Sequence, residues 1–442
     1  MKTNVLLLMV DALRADRVLG DDRRAVTPTL DALRQQATVF TRAFSTASMT
    51  TCCTSSILSG AYPFVHGIRS LADHRFRPDL PTLGEAFQAG GYFTWAEVTG
   101  PLLPQVGLNR GFDQYTHRDY EETLDTPWRQ QFVTRLEAFP RPWFGLLHLW
   151  ELHHPRTVTP DFDRPTYGSN VYDRAVSSLD HQLAQLLAAL PENTAIVLTG
   201  DHGEYLSPEG ATDTVARMKK SFKWIKRHVP GAKHLKRVAP LLFSTADRLG
   251  KQNNELYYHW LGHGFHVYDY LTHVPLIFYG PGLFPANRVT QQLASHVDIF
   301  PTLVSAFDLP VETTLASGID LMPLIGGHEN GSGSRSLYME ASGGRIMPEP
   351  EQWLGAIRTE RFKYVAGLVN KSIPEELYDL TGPAGEQESV IAQHPDVAAE
   401  LREQLAAMVA STVPGPAGGA SEYAAGELDE LQEQLRRLGY LD

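Results

Sequence analysis

Short, uninterrupted apolar runs alternate along this chain with stretches whose apolar residues recur every three or four positions. The first run, residues 4–10, is apolar from Val5 onward and is followed by Asp11. A run with no polar face predicts a central strand of a parallel sheet, covered on both sides. Residues 38–44, 92–98, 143–150, 194–199 and 274–279 predict further strands. Between them, residues 27–33 open a helix with Pro28 in its first turn, 82–91 make a helix stopped by glycine, and 172–190 are amphipathic at helical spacing. Strands alternating with helices predict an α/β fold with a doubly wound, mostly parallel sheet. In such folds, ligands gather outside the carboxyl ends of the strands.

The pattern changes after residue 330. Residues 336–340, 354–358 and 362–366 predict short strands and 395–409 a helix. This divides the chain into an α/β catalytic domain (1–330), a small α+β C-terminal subdomain (331–411), and a Gly/Pro-rich linker with a charged terminal helix (412–442). With 442 residues, 43% hydrophobic, the chain is long enough for a large core. Its net charge of −12 argues against a general nucleic-acid binder. The first apolar run is too short for a signal peptide or a membrane helix, and no other window approaches spanning length. The expectation is a cytoplasmic protein. Cys52 and Cys53, the only cysteines, are adjacent and imply no disulfide framework; they are expected as small core or pocket residues.

The strand ends collect a particular chemistry. Asp11 closes the first run, and Asp201-His202 follows the run at 194–199. A hydroxyl-rich stretch, Ser48 to Ser56, opens the next helical segment. One reading of that stretch is helix capping; the other is a nucleophile at a helix N-terminus, where unpaired N–H groups favour an anion. Two carboxylates, one imidazole and one hydroxyl form a hard-to-borderline ligand set. It suits a single divalent cation: Mn²⁺, Zn²⁺, Ca²⁺ or Mg²⁺. A cation touching the hydroxyl would turn it into a nucleophile. His153 and His263 can serve the substrate oxyanion and the leaving group.

In order along the chain stand Val5-Leu-Leu-Leu-Met-Val-Asp11, Thr27-Pro-Thr-Leu30, Ser59-Gly-Ala-Tyr-Pro-Phe-Val-His-Gly67 and Gly200-Asp-His-Gly-Glu204. Gly262-His-Gly-Phe-His-Val-Tyr-Asp269, Val297-Asp-Ile-Phe-Pro-Thr-Leu303 and Glu376-Leu-Tyr-Asp-Leu380 continue the set. Together they resemble the sulfatase family of the alkaline phosphatase superfamily, over nearly the whole chain. The resemblance implies metal ligation by Asp11, Thr50, Asp201 and His202. Sulfatases carry C-x-P-S-R, whose cysteine becomes formylglycine, ten residues before a glycine matching Gly60. Counting back puts Thr50 at that cysteine, with Cys52, Cys53 and Thr54 at the Pro, Ser and Arg positions. No formylglycine is therefore expected. Relatives with threonine here act on phosphorus, which shifts the expectation toward phosphate esters, especially diesters, or phosphoryl transfer.

Within this resemblance Thr50 is the expected nucleophile, with Thr51 in reserve should the register slip by one. His153 lies where the family has Pro-His-x-Pro; His154 competes with it. His263 falls near the family's active-site Lys or His. His266 is expected to pack, and His296 to be structural, although a second-metal role stays open. Ala12 stands where sulfatases often have an acid, which favours Mn²⁺ or Zn²⁺ over Ca²⁺. Residues 205–261 form an insertion; nine basic side chains lie between Arg217 and Arg237, and no acid interrupts from Thr214 to Ala246. It reads as a solvated face, a lid over an anionic substrate, or a membrane-surface contact. Sulfate-ester hydrolysis, and a non-catalytic binding scaffold, remain as alternatives.

Overall fold

The computed structural model describes residues 2–20, 24–71, 75–206, 263–328, 335–344, 348–382, 385–410 and 426–437. The basic insertion lies outside these, apart from Tyr205 and Leu206, and so does the linker that begins at Thr412.

The larger sheet has eight strands: β1 (Asn4–Val10), β2 (Ala37–Phe44), β3 (Phe93–Val98), β4 (Gln114–His117), β5 (Trp143–Leu149), β6 (Thr194–Gly200), β7 (His273–Tyr279) and β8 (Arg288–Ser295). They lie in the order β4-β3-β5-β1-β6-β7-β2-β8. β1 is central and parallel to both its neighbours, while β7 runs antiparallel to β6 and β2. The sheet is therefore mixed and mostly parallel. β1, β5 and β6 are buried along their whole length, as all-apolar runs between two helical layers must be.

The pleat sends alternate residues to opposite layers. Val5, Leu7 and Met9 pack with the helices Thr50–Ser59, Leu83–Ala89 and Ile299–Ala306. Leu6, Leu8 and Val10 pack with Pro28–Gln35, Trp128–Ala138 and Val171–Ala188. Two of these helices carry strong N-caps. Thr82 and Glu85 form a reciprocal capping box, and Asn170 accepts from the Asp173 N–H.

The C-terminal part holds a four-stranded antiparallel sheet, β12-β11-β10-β9, from β9 (Leu337–Ala341), β10 (Leu354–Arg358), β11 (Phe362–Gly367) and β12 (Glu376–Asp379). One face packs on the helix Pro395–Ala410 through Leu401 and Leu405; the other meets Phe44, Val267 and Tyr268. The Glu340 N–H donates to Thr46 O at 2.9 Å, joining this sheet to the segment that leads into Thr50. The terminal helix runs Glu427–Arg437. β4, β8, β12 and the helix Trp128–Ala138 have no counterpart in the sequence-based expectation.

Candidate active site

The site is assembled by the same period of two. Val5, Leu7 and Met9 face the Thr50–Ser59 helix, so the next residue of that parity, Asp11, faces it too. Ala195 and Val197 lead by the same count to Asp201. In β5, Leu146 faces this layer and His148 follows it, in register with Met9. Three strand ends thus deliver two carboxylates and an imidazole to one place, all with 0% exposure.

The Thr50–Ser59 helix covers them. All ten of its residues are buried. Its hydroxyls do not cap it. Thr54, Ser55 and Ser59 each donate to the carbonyl four residues earlier, which lets a polar helix sit in a dry core. The N-cap is Met49, which supplies no side-chain bond, so the first-turn N–H groups keep no capping partner of the kind Thr82 and Asn170 give their helices. Thr50 is the first residue of this helix, and its Oγ1 donates to Asp11 Oδ2 at 3.0 Å. Thr51 is buried beside it.

Asp201 is locked by two backbone donors: the N–H groups of Ala12 (2.9 Å) and His202 (2.7 Å) both reach its Oδ1. Its Oδ2 is buried with no hydrogen-bond partner, and so is Asp11 Oδ1. His202 Nδ1 lies 2.7 Å from Gly203 O and must be the protonated nitrogen to bond there. Nε2 faces the site, 3.5 Å from Thr50 Oγ1 and 3.6 Å from Asp201 Oδ2. His148 Nε2 lies 3.8 Å from Asp11 Oδ2.

Burial, and then the Asp201 carboxylate, push Asp11 well above the usual carboxylate range. Burial also acts on Asp201, but the His202 and His148 rings outweigh it and hold this acid low. Two facing acids with dry, unbonded oxygens can both be ionised only against an added positive charge. One ligand atom each from Asp11, His148 and Asp201 lie within 4.8 Å of one another. By charge and by geometry, these residues fit a divalent cation.

Two more histidines close the far side. The His202 and His263 rings are 4.7 Å apart, and His263 and His153 5.8 Å. His153 stacks on Trp150 at 3.9 Å. Burial and His202 push His153 down to about 3, so it is a neutral N–H donor at neutral pH. The segment carrying His263 is registered to the helix mouth by Ser48, which accepts from the Gly264 N–H and donates to His266 O. Gly264 has φ +93°, and a Cβ there would strike Met49 Sδ at 3.0 Å.

Asp11, Thr50, Asp201, His202, His153 and His263 thus come together from five stretches of sequence. His154 is exposed at the rim. His266 is buried against Tyr268, rings 3.5 Å apart. His296 lies below, its Nε2 2.9 Å from Gly200 O. Cys52 and Cys53, in this helix, are buried in the core, and burial pushes the Cys53 thiol up, away from reactivity. His148 is the one residue sequence reasoning missed. Its signal was a single imidazole in an otherwise apolar strand, one step from the strand's end.

The fold and this cluster define a hydrolase-type α/β architecture of the alkaline phosphatase superfamily. The Sulfatase family model matches residues 3–309, and the chain belongs to the sulfatase family. Arylsulfatase K of Bos taurus is 28% identical over 156 residues, 32% of this chain and 26% of that protein. The match thus spans about a quarter of that relative's length. Among solved structures, a phosphonate monoester hydrolase of Agrobacterium radiobacter superposes with a TM-score of 0.69 at 18% identity, covering 92% of this chain and 96% of the other. A 2-O GAG sulfatase gives 0.64 at 19%, covering 93% and 92%. At these identities the likeness is one of fold.

Proposed function

We propose that this chain is a metal-dependent hydrolase of anionic phosphorus esters, phosphate diesters foremost, with Thr50 Oγ1 as nucleophile. The observation that carries the reading is the Thr50 hydroxyl at an uncapped, buried helix N-terminus, bonded to one of two acids whose remaining oxygens have no partner. A bound divalent cation would neutralise Asp11 and Asp201 and lower the pKa of the Thr50 hydroxyl.

Asp11 orients the hydroxyl and takes its proton as Oγ1 forms a bond to phosphorus. The bond from phosphorus to the leaving oxygen breaks in line, and that oxygen leaves with the electron pair. His153 and His263 donate hydrogen bonds to the oxygens on which charge grows, and the first-turn N–H groups of the helix face the same anion. Water then attacks phosphorus and releases Thr50. A threonyl ester has no second hydroxyl on its ester carbon, so it is resolved only by attack at the transferred centre. This favours phosphorus over sulfur. The names of the similar proteins include both phosphonate and sulfate esters, and sulfate-ester hydrolysis is the second reading.

Aryl phosphate diesters, monoesters, phosphonate monoesters and sulfates, each offered with Mn²⁺, Zn²⁺ and Ca²⁺, test the proposal. Diester turnover is expected to lead, and Thr50→Ala to cut kcat by about 10³-fold or more. Rapid quenching is expected to trap phosphate on Thr50. Full turnover by Thr50→Ala would overturn the nucleophile assignment, and sulfate preference the substrate class.

A further inference from the structure

The four expected ligands leave the cation with one imidazole. We propose that His148 is a further ligand to the same ion, and that this second imidazole biases the site toward Mn²⁺ or Zn²⁺ over Ca²⁺ and Mg²⁺. The inference rests on the metal-dependent reading above.

The backbone puts His148 there. β5 pairs with β1 so that His148 stands beside Met9, and the ring turns to the face shared by Asp11, Asp201 and Thr50. It is fully buried, yet its Nε2 makes no hydrogen bond. Leaving such a group dry and unpaired is costly. The nearest acid oxygen, on Asp11, is 3.8 Å away, too far for a hydrogen bond. It is a natural separation for two ligands of one ion: donors each about 2.1 Å from a metal stand roughly 3–4 Å from one another. Thr50 Oγ1 to Asp11 (3.0 Å), Thr50 Oγ1 to His202 (3.5 Å), and His202 to Asp201 (3.6 Å) fall in the same interval. One ligand atom each from Asp11, His148 and Asp201 lie within 4.8 Å of one another, with Thr50 and His202 next to the two acids.

The neighbouring residue at the end of β1 supports the count. Ala12 follows Asp11 and offers no carboxylate; only its N–H takes part, on Asp201. With Asp11, Thr50, Asp201, His202 and His148, the set is two nitrogens and three oxygens carrying two negative charges. Imidazole-rich, low-charge shells suit borderline ions, whereas Ca²⁺ and Mg²⁺ demand oxygen.

The test counts imidazoles without reference to turnover. The full chain is stripped with chelator and loaded with Mn²⁺, and pulsed EPR reads the coordinated nitrogens. Two imidazoles are expected in the wild type, one in His148→Gln and one in His202→Gln. By calorimetry, His148→Gln is expected to weaken Mn²⁺ by about tenfold or more and Ca²⁺ by less than about threefold. A wild-type spectrum with one imidazole overturns the proposal, and that measurement depends on no variant folding. Equal loss of Mn²⁺ and Ca²⁺ affinity in His148→Gln overturns the selectivity claim. If the wild type binds no divalent cation at millimolar concentration, the metal-dependent reading falls with it. One imidazole together with cation-dependent, Thr50-dependent turnover sinks this inference alone.

Discussion

Among the described residues, one buried charged cluster lies at the strand ends of the large sheet and another under the small sheet. Lys363 in β11 is fully buried; its Nζ donates to Val267 O at 2.9 Å and pairs with Asp269 and with Glu386 at 2.6 Å. Arg358, its cross-strand partner in β10, binds Asp269 at 3.0 Å and lies over Phe44. Two cations side by side on neighbouring strands are matched by two acids. Among the described residues, no buried side-chain polar atom of these four lacks a partner. At the strand ends, Asp11 Oδ1, Asp201 Oδ2 and His148 Nε2 all do. Both clusters took charge out of water, and only one is complete. A closed ionic cluster holds the chain in place; an open one is built for something that arrives later.

The comparison is broken most easily through stability. Lys363→Met strands Glu386 and leaves Asp269 to Arg358 alone, and is expected to cost about 3–5 kcal/mol in urea unfolding. Asp11→Asn removes one of two mutually repelling buried acids. The metal-free protein is then expected to be no less stable than wild type, while the rise in Tm on adding Mn²⁺ disappears. Should Asp11→Asn destabilise the chelated protein as much as Lys363→Met does, the strand-end cluster is already a closed structural unit.

pH sharpens the same contrast. Because burial and Asp201 raise Asp11, this group costs stability once pH climbs past the unfolded carboxylate value of about 3.9. The metal-free protein loses stability from there until Asp11 has ionised. A cation needs Asp11 ionised, so its binding releases a proton. Below the folded pKa of Asp11, affinity is expected to rise about tenfold per pH unit, or about 1.4 kcal/mol, and to level off above it. Calorimetry across pH in two buffers of different ionisation enthalpy reads the proton count. Asp201, held low by its histidines, is already charged and adds none. Asp11→Asn should flatten the slope, and a slope of zero in the wild type would mean that both acids are ionised before any cation binds.

Much of this could be read from the sequence because burial on both faces leaves a plain signature. β1, β5 and β6 announce themselves as unbroken apolar runs, and a charged residue just beyond such a run has few structural excuses. Edge strands do not. β8 ends the sheet half exposed, and β4 is only intermediate or exposed along Gln114–His117, so neither shows an apolar run or a clean alternation. The helix Trp128–Ala138 buries only Trp128, Phe132 and Leu136, too sparse a stripe to stand out. His148 was lost for another reason. Its chemistry depends on β5 lying beside β1, a pairing across more than a hundred residues that no local pattern encodes. Inside one strand it is a lone histidine among leucines; beside Met9 it joins the Asp11 cluster. The hydroxyl stretch was legible as a cluster but not in its parts. Only the helix register shows Thr50 turned to Asp11 while Thr54, Ser55 and Ser59 bond their own backbone.

The smallest expected effect comes from the turn that joins Asp11 to the rest of the open cluster. Ala12 has φ +57°, a left-handed conformation that costs an ordinary residue roughly 1–2 kcal/mol. It is held there from both sides: its N–H donates to Asp201, and its carbonyl accepts from the Tyr172 hydroxyl at 2.6 Å. The strain aims Asp11 at Thr50 while freeing the Ala12 N–H to fix Asp201. Ala12→Gly removes the Cβ penalty but adds freedom to the unfolded chain, so the net gain should be only about 0.5 kcal/mol in urea unfolding. Mn²⁺ affinity should stay within about threefold, since the two hydrogen bonds, not the methyl group, set the geometry. Tyr172→Phe is the counterpart: it leaves the left-handed turn without one of its two clamps, and should weaken Mn²⁺ more than Ala12→Gly does. The reverse order would show that the turn is set by its own backbone preference rather than by the residues that grip it.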